Sequence, residues 1–284
     1  MAGVTRPTAG RVENQSIVDS TVQPVKLDPV HFDRYIHDRF SDGVSSYSRL
    51  LGYGNPTGVA ADLNAFRSGP YVHEYFIIGT QTLLGPVVIA GGLDTTLDLT
   101  STDGLEIGFG GGLITNANAR CAFTVGVRGF YGKLVVKEAD ISGVNPGLFM
   151  ARKQEAAYQA AYTSYTDYFG IGVVTAANPG AIKIVQRINT GTAVITDTTN
   201  TWADTVEQTY EIRVSRAGKA TATYGASGGG VVPTVNVRNH TFDDGDVIGF
   251  AWHRECAATS PGAERLALFE CGYLPDQGGW INRR

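Results

Sequence analysis

The chain has 284 residues and a formal net charge of −4, and only 18% of its residues are charged. This length suffices for one large all-β domain or two smaller ones, and the small negative charge gives no electrostatic reason to expect nucleic acid as a partner. No segment reaches the roughly 18 apolar residues of a membrane span, so no membrane partner is expected. The 36 glycines exceed the average share of about 7% and favour short strands joined by tight turns.

Residues 1–70 lack the strand pattern of the rest of the chain, and we predict that they form an extended N-terminal arm and a long connection. The stretch from 41 to 70 is longer than the usual loop of a compact domain. It also carries more apolar side chains than a solvated linker needs, which favours order against a partner over the alternative of disorder. The residues predicted to contact the partner are Phe32, Tyr35, Leu50, Leu51, Tyr53 and Phe66.

Residues 71–284 show short apolar or alternating runs separated by glycine- and aspartate-rich turns, a pattern typical of β-strands. Runs such as FIIG, PVVIAGGL and KLVVKE are partly continuous, which indicates strands buried between two layers. We therefore predict an all-β fold over this region, namely an antiparallel two-sheet β-sandwich of the jelly-roll or concanavalin-like kind.

One short helix is predicted between Met150 and Phe169. Its sequence contains Glu155, Ala156, Ala157, Gln159 and Ala160, which have high helix propensity. The aromatic side chains of this stretch recur at helical spacing and would share one face. Packing of that face on a sheet is the ordinary interpretation, and stacking on sugar rings is the alternative.

Phosphate-binding and hydrolytic motifs are missing from this sequence. The run Ser215-Arg216-Ala217-Gly218-Lys219 lies between two strand-like segments, whereas a phosphate loop must lead into a helix. We interpret it as a β-turn in which Gly218 takes a positive φ. The acids of the strands are single, so no pair of carboxylates stands on one face of one strand, and only a pair from two different strands stays open for glycoside hydrolysis.

The acidic group Asp243-Asp244-Gly245-Asp246 lacks the spacing of a calcium loop and predicts a turn between strands. The five histidines show no metal-binding spacing. The three cysteines, Cys121, Cys256 and Cys271, are interpreted as buried or half-buried thiols of a protein that folds in a reducing compartment. We predict no catalytic residues, no cofactor and no metal site, and hence a protein that is not an enzyme.

Several stretches resemble a β-sandwich virion structural protein of tailed bacteriophages, of the capsid decoration or cement type. The resemblance covers roughly residues 71–274 and rests on EYFIIGTQTLLGPVVIAGGL (74–93), TSTDGLEIGFGGG (100–112), CAFTVGV (121–127), EAAYQAAYTSYTDYFGIGV (155–173), TYEIRVSRAGKATATY (209–224), HTFDDGDVIGF (240–250) and FECGY (269–273). It implies a homotrimer or homodimer that is assembled in the host cytoplasm and binds the major capsid protein on the capsid surface of the virion.

Two alternative functions stay open beside the decoration protein. One is a carbohydrate-binding or receptor-binding module of a tail or head fibre that adsorbs to a host glycan, with Trp202, Tyr224 and Trp252 as the side chains that would stack on sugar rings. The other is a major capsid protein of small sandwich type.

Overall fold

A computed structural model describes residues 35–40, 44–47, 63–68, 71–79, 86–89, 92–95, 103–111, 121–138, 147–174, 180–203, 206–226, 229–232, 239–255 and 264–274. These residues form two antiparallel sheets with almost no helix, which confirms the all-β, two-sheet prediction. The strands are β1 (Ile36–Asp38), β2 (Val44–Tyr47), β3 (Leu63–Ser68), β4 (Tyr71–Ile78), β5 (Val87–Ile89), β6 (Gly92–Asp94), β7 (Gly104–Gly108), β8 (Phe123–Thr124), β9 (Phe130–Glu138), β10 (Gly147–Lys153), β11 (Tyr168–Val173), β12 (Ala181–Arg187), β13 (Val194–Thr201), β14 (Gln208–Val214), β15 (Lys219–Ala226), β16 (His240–Thr241), β17 (Val247–Glu255) and β18 (Glu264–Tyr273).

The two sheets differ in size. The smaller sheet has eight strands in the order β16-β15-β14-β9-β18-β6-β5, with β1 paired to β18. The larger sheet has ten strands in the order β13-β12-β11-β10-β17-β7-β4-β3-β2, with β8 paired to β17. Strands that lie side by side in a sheet, such as β9 and β18, come from distant parts of the sequence, so the strand pairing is largely non-local.

The core lies between the inner faces of the two sheets. Along β14 the side chains of Tyr210, Ile212 and Val214 are buried, while those between them are half-buried or exposed, as alternation in a strand requires. Aromatic rings from both sheets meet in this layer, and the stacked pair Phe109 and Phe269 has a centroid distance of 4.0 Å. Such interdigitation is the usual core of a sandwich.

The prediction of a helix between Met150 and Phe169 is wrong. Residues up to Lys153 complete β10, and Tyr168 begins β11, which pairs with β10. Between them only Tyr162–Ser164 forms a 3-10 turn. The hydrogen bonds that β10 forms with β11 and β17 outweigh the local helix propensity, which is a weak preference.

Part of the predicted N-terminal arm belongs to the sandwich. Strands β1, β2 and β3 all precede residue 71, and they pair with β18, with each other and with β4. Residue 70 is therefore not the start of the sandwich, because sheet pairing begins at Ile36. Residues 1–34, 41–43, 48–62, 69 and 70 lie outside the described residues.

The turn between β14 and β15 has the predicted form. The Ser215 N–H donates to the Lys219 carbonyl at 2.9 Å, and the Gly218 N–H donates to the Ser215 carbonyl at 2.9 Å. Gly218 has a φ of +80°, and a Cβ at this position would lie 2.1 Å from the Phe242 carbonyl oxygen. The glycine is thus needed for its backbone conformation and for its close approach to the backbone of Phe242.

The prediction that all three cysteines are thiols is corrected by a disulfide between Cys121 and Cys271, whose Cα atoms are 7.2 Å apart. The two residues are 150 positions apart in sequence, so no local spacing could reveal the pairing. Cys256 lies outside the described residues. The bridge ties Cys121 to the C-terminal part of β18, where Cys271 is opposite Ile36 of β1.

We expect one reactive thiol per chain after denaturation without reductant and three after reduction, because only Cys256 is left outside the bridge. Titration with a chromogenic thiol reagent gives the count, and the Cys121→Ser variant is the control, since it should release a second thiol. Three thiols in the protein purified and denatured without reductant would contradict the pairing.

Candidate functional site

A buried carboxylate fastens the first strand to the sandwich. Asp38 Oδ1 accepts hydrogen bonds from the Phe40 N–H at 2.8 Å and from the Ser68 hydroxyl at 2.9 Å, and Oδ2 lies 2.9 Å from Nε2 of His73. The Gly110 N–H donates to Nδ1 of His73 at 3.2 Å, so the ring proton is on Nε2 and is directed to Asp38. These bonds fix the position of β1 beside β18.

Two tyrosines lie side by side on the outer face of the smaller sheet, next to β1. A Cβ built on Gly272 would be 3.1 Å from Cδ2 of Tyr35 and 3.6 Å from Cε1 of Tyr131, so both rings lie over this glycine. Tyr35 is 46% exposed. We refer to Tyr35, His37, Tyr131, Glu270 and Gly272 as the tyrosine platform.

Glu270 is the central polar group of the platform. The Tyr131 hydroxyl donates to its Oε1, and Nδ1 of His37 lies 3.3 Å from its Oε2. Arg39 Nε–H donates to Nε2 of His37 at 3.3 Å, which places the ring proton on Nδ1, facing Glu270. A carboxylate has about four acceptor positions, so Glu270, with 23% of its side chain exposed, can accept further hydrogen bonds.

Both platform hydroxyls are held in the protonated form. Burial, the hydrogen bond to Glu270 and the charge of Glu270 raise the pKa of Tyr131. Burial and the same charge also raise the pKa of Tyr35. The platform therefore combines an exposed aromatic face with the Tyr35 hydroxyl as a donor and the Glu270 carboxylate as an acceptor.

The outer face of the larger sheet carries a different arrangement, a network of buried ionisable side chains. Nε and Nη2 of Arg152 each lie 2.9 Å from Oε1 of Glu106, and the Tyr165 hydroxyl donates to Oε2. His253 bridges two carboxylates, with Nδ1 2.9 Å from Oε2 of Glu106 and Nε2 3.0 Å from Oε1 of Glu255. We refer to Glu106, Arg152, Tyr165, His253 and Glu255 as the buried network.

Residues 154–167 close this network from solvent, and we call them the covering segment. Tyr158 stacks on Phe76 at a centroid distance of 5.4 Å, and its hydroxyl donates to Glu74 at 2.9 Å. The Tyr162 N–H donates to Glu255 at 3.1 Å. Tyr158, Tyr162 and Tyr165 pack with side chains from the sheet in a second apolar cluster. Phe169, the fourth ring of the predicted aromatic face, lies instead in the core between the sheets.

The charges of the buried network balance. Burial alone would raise the pKa of Glu106, but the Arg152 guanidinium and His253 lower it below the usual value. Burial alone would lower the pKa of His253, but its hydrogen bonds to Glu106 and Glu255 and their charges raise it to about 9. The pKa of Glu255 is lowered by His253 against the effect of burial. Near neutral pH, two carboxylates therefore face a guanidinium and an imidazolium.

This arrangement differs from the acid and base of a glycoside hydrolase. Such an enzyme needs one carboxyl group with a raised pKa to protonate the leaving group, whereas the pKa values of Glu106 and Glu255 are both lowered.

Within the part of the chain that the structure describes, no group of three or more His, Cys, Asp or Glu side chains is arranged to hold a metal ion. Asp243 and Asp246 form the predicted turn, with a 3.1 Å bond from the Asp246 N–H to the Asp243 carbonyl.

The aromatic side chains predicted to stack on sugars are buried. Trp252 is 0% exposed, and its Nε1–H donates to Glu264 at 2.9 Å. Trp202 is 3% exposed and donates to the Val206 carbonyl at 2.6 Å, and Tyr224 is 4% exposed. The three rings belong to the core between the sheets, so this part of the prediction is corrected because no ring face is open to a ligand.

The predicted partner-contacting residues divide into three groups. Tyr35 is exposed and is part of the tyrosine platform, and its contact with a partner stays a prediction. Phe66 is 0% exposed, because β3 turns it into the core beside His73 and Tyr75, and this is a correction. The others lie outside the described residues: Phe32, Leu50, Leu51 and Tyr53.

Comparison with known proteins gives similarity of fold only. No protein-family model matches the chain, and no curated protein matches its sequence. A protein of unknown function from Shewanella oneidensis MR-1 has a similar structure, with 10% identity over 94% of this chain and 96% of that one and a TM-score of 0.47. The CBM2 module of the evolved Dit protein of Lactobacillus casei BL23 phage J-1 has 9% identity over 84% and 94%, with a TM-score of 0.45.

The carbohydrate-binding module CBM66 from Bacillus subtilis is also similar, with 9% identity over 64% of this chain and 87% of that one and a TM-score of 0.39. Lectin and carbohydrate-binding sandwiches thus recur among the similar structures. The described residues include no helix with the length and apolar character needed to span a membrane.

Proposed function

We propose that this protein is a non-enzymatic carbohydrate-binding module whose ligand lies on the tyrosine platform. The observation that carries the proposal is the exposed ring of Tyr35, held over Gly272 beside the carboxylate of Glu270. Aromatic rings offer an apolar face with a polar tip, which suits ligands that have both characters. A sugar ring is such a ligand, since its C–H groups pack on an aromatic face while its hydroxyls meet acceptors and donors.

The tyrosine platform is preorganised for binding by contacts within the protein. Asp38 and the disulfide of Cys271 fix the two strands that carry Tyr35 and Gly272, and the bond from Tyr131 to Glu270 orients the acceptor. A rigid site loses less conformational entropy on binding. The absence of an acid with a raised pKa in the buried network supports binding over catalysis.

The Tyr35→Ala variant should bind its glycan about tenfold more weakly, or about 1.4 kcal/mol, because the stacking face is lost. The stability should stay nearly unchanged, since Tyr35 is half exposed. An array of bacterial envelope polysaccharides identifies a glycan, and calorimetric titration then gives the Kd for each variant.

The control is Ile195→Ala, which truncates an equally exposed apolar side chain on the larger sheet, where Ile195 is 47% exposed. It should bind as the unchanged protein does. An array without any bound glycan, or equal Kd values for Tyr35→Ala and the unchanged protein, would refute the platform as a carbohydrate site.

The more specific function of a capsid decoration protein in the virion stays a prediction. Binding to the major capsid protein and to copies of this chain also stays a prediction. A carbohydrate-binding module can be displayed on a particle, so the two functions are compatible. Cosedimentation of the purified protein with empty phage heads tests the capsid contact directly. Binding to heads that Tyr35→Ala leaves unchanged would assign capsid binding to a surface other than the platform.

A further inference from the structure

The charges around the tyrosine platform have the opposite sign to the whole chain. On the outer face of the smaller sheet, the described residues include five cations, Lys133, Lys137, Arg213, Lys219 and Arg265, and four anions, Asp94, Glu211, Glu270 and Glu207, which pairs with Lys137. The face is therefore net positive, whereas the chain has a formal charge of −4. A surface with such a local charge attracts ligands of the opposite sign.

One of these cations is placed to meet a ligand on the platform. Lys133 is on β9, two residues from Tyr131 and on the same face, so their Cα atoms are about 7 Å apart. Across the sheet it is opposite Glu270 on one side and Glu211 on the other. Both carboxylates are engaged elsewhere, since Glu270 bonds Tyr131 and His37, and Glu211 bonds Arg213.

Among the described residues, no carboxylate lies within 4.0 Å of the Lys133 ammonium group, in contrast to Lys137, which pairs with Glu207 at 3.4 Å. Lys133 can therefore pair with an outside anion without first breaking an ion pair in the protein. Because the group is near the surface, each such contact contributes a modest energy that salt weakens. Its main effect is to select the sign of the ligand.

We infer that the ligand of the tyrosine platform is an acidic saccharide, whose anionic group binds Lys133 while a neighbouring sugar ring stacks on Tyr35. This inference rests on the proposed function. The anionic group is a carboxylate, sulfate or phosphate carried by the sugar. Glu270 then accepts hydrogen bonds from hydroxyls of the sugar, beside its bonds to Tyr131 and His37.

The test compares matched polysaccharides that differ in charge. The pairs are polygalacturonate and its full methyl ester, carboxymethylcellulose and hydroxyethylcellulose, and dextran sulfate and dextran. The full-length protein is titrated with each at low salt, together with the variants Lys133→Met, Lys137→Met and Tyr35→Ala. Melting temperatures verify that each variant is folded.

We expect at least one acidic polymer to bind more tightly than its neutral partner, and Lys133→Met to raise its Kd about fivefold. Lys137→Met should change this Kd less than twofold, and Tyr35→Ala should raise it about tenfold. Equal binding of acidic and neutral polymers, or equal effects of the two lysine variants, would overturn the inference while leaving carbohydrate binding in place. Binding of no polymer, or acidic binding with the same Kd for Tyr35→Ala as for the unchanged protein, would overturn the platform itself.

Discussion

The Glu106→Gln variant should lose about 3–5 kcal/mol of its free energy of unfolding, the typical cost of breaking a buried ion pair from one side. Glu106 and Arg152 are both 0% exposed, so the guanidinium would lose this carboxylate at a place where water cannot replace it. His253 would lose one of its two carboxylates as well. Urea unfolding near pH 6, followed by tryptophan fluorescence, measures the difference.

The exposed pair of Lys137 and Glu207 is the matched control for this experiment. Its side chains are 48% and 38% exposed, and Glu207→Gln should change the free energy of unfolding by less than about 1 kcal/mol. The double variant Glu106→Gln/Arg152→Met should recover part of the loss, because it removes both charges. If Glu106→Gln is insoluble, Tyr165→Phe tests the same network more mildly, with an expected loss of about 1–2 kcal/mol. Equal small losses at the buried and exposed pairs would contradict the account of the network.

The free energy of unfolding should fall as the pH rises from about 6.5 to 9. In the folded protein the pKa of His253 is raised to about 9, from an ordinary value of 6.5. A raised pKa means that the folded state binds the proton more tightly, so this stabilisation is complete below pH 6.5 and is lost as the pH passes 9. The shift corresponds to a stabilisation on the order of 3 kcal/mol. The carboxyl groups of Glu106 and Glu255 have lowered pKa values, so their contribution is lost at the acidic end instead.

The His253→Gln variant is the control for the pH dependence. It keeps a hydrogen-bonding side chain but cannot be charged, so its free energy of unfolding should be lower at pH 6 and nearly level between pH 6.5 and 9. Chemical denaturation at four or more pH values in this range gives both curves. A level curve for the unchanged protein, or equal slopes for the two proteins, would show that His253 is not held as a cation.

The fold class could be predicted because it depends on local patterns. The alternation of apolar and charged residues in YEIRV predicts one buried and one solvent-exposed face for β14, as observed. The residues from Ser215 to Lys219 predict the β-turn of the hairpin, which the structure also contains. The region from Met150 to Phe169 could not be predicted in this way. Its alanines and glutamate favour a helix, but pairing with β17, which is nearly one hundred residues later in sequence, decides its first part.

The two sites depend on contacts between distant residues. Glu106 meets His253 across 147 positions, and His37 meets Glu270 across 233. Alternation in FECGY places Glu270 outside, but only the pairing of β1 with β18 brings Tyr35 and His37 beside it. The same distance in sequence explains why the stacking role predicted for Trp252 was wrong. Trp252 is buried by contacts with Tyr210 of β14 and Glu264 of β18, which its own strand does not reveal.

Mapping of a bound glycan by NMR tests the central claim of carbohydrate binding on the smaller sheet. Amide signals of isotope-labelled protein are followed while an acidic oligosaccharide is added. We expect shifts at Tyr35, Tyr131, Lys133 and Gly272, with little change around Glu255 and the covering segment. Two results would contradict carbohydrate binding on the smaller sheet. One is a set of shifts confined to the outer face of the larger sheet, and the other is the absence of shifts with every glycan to which the protein binds on an array.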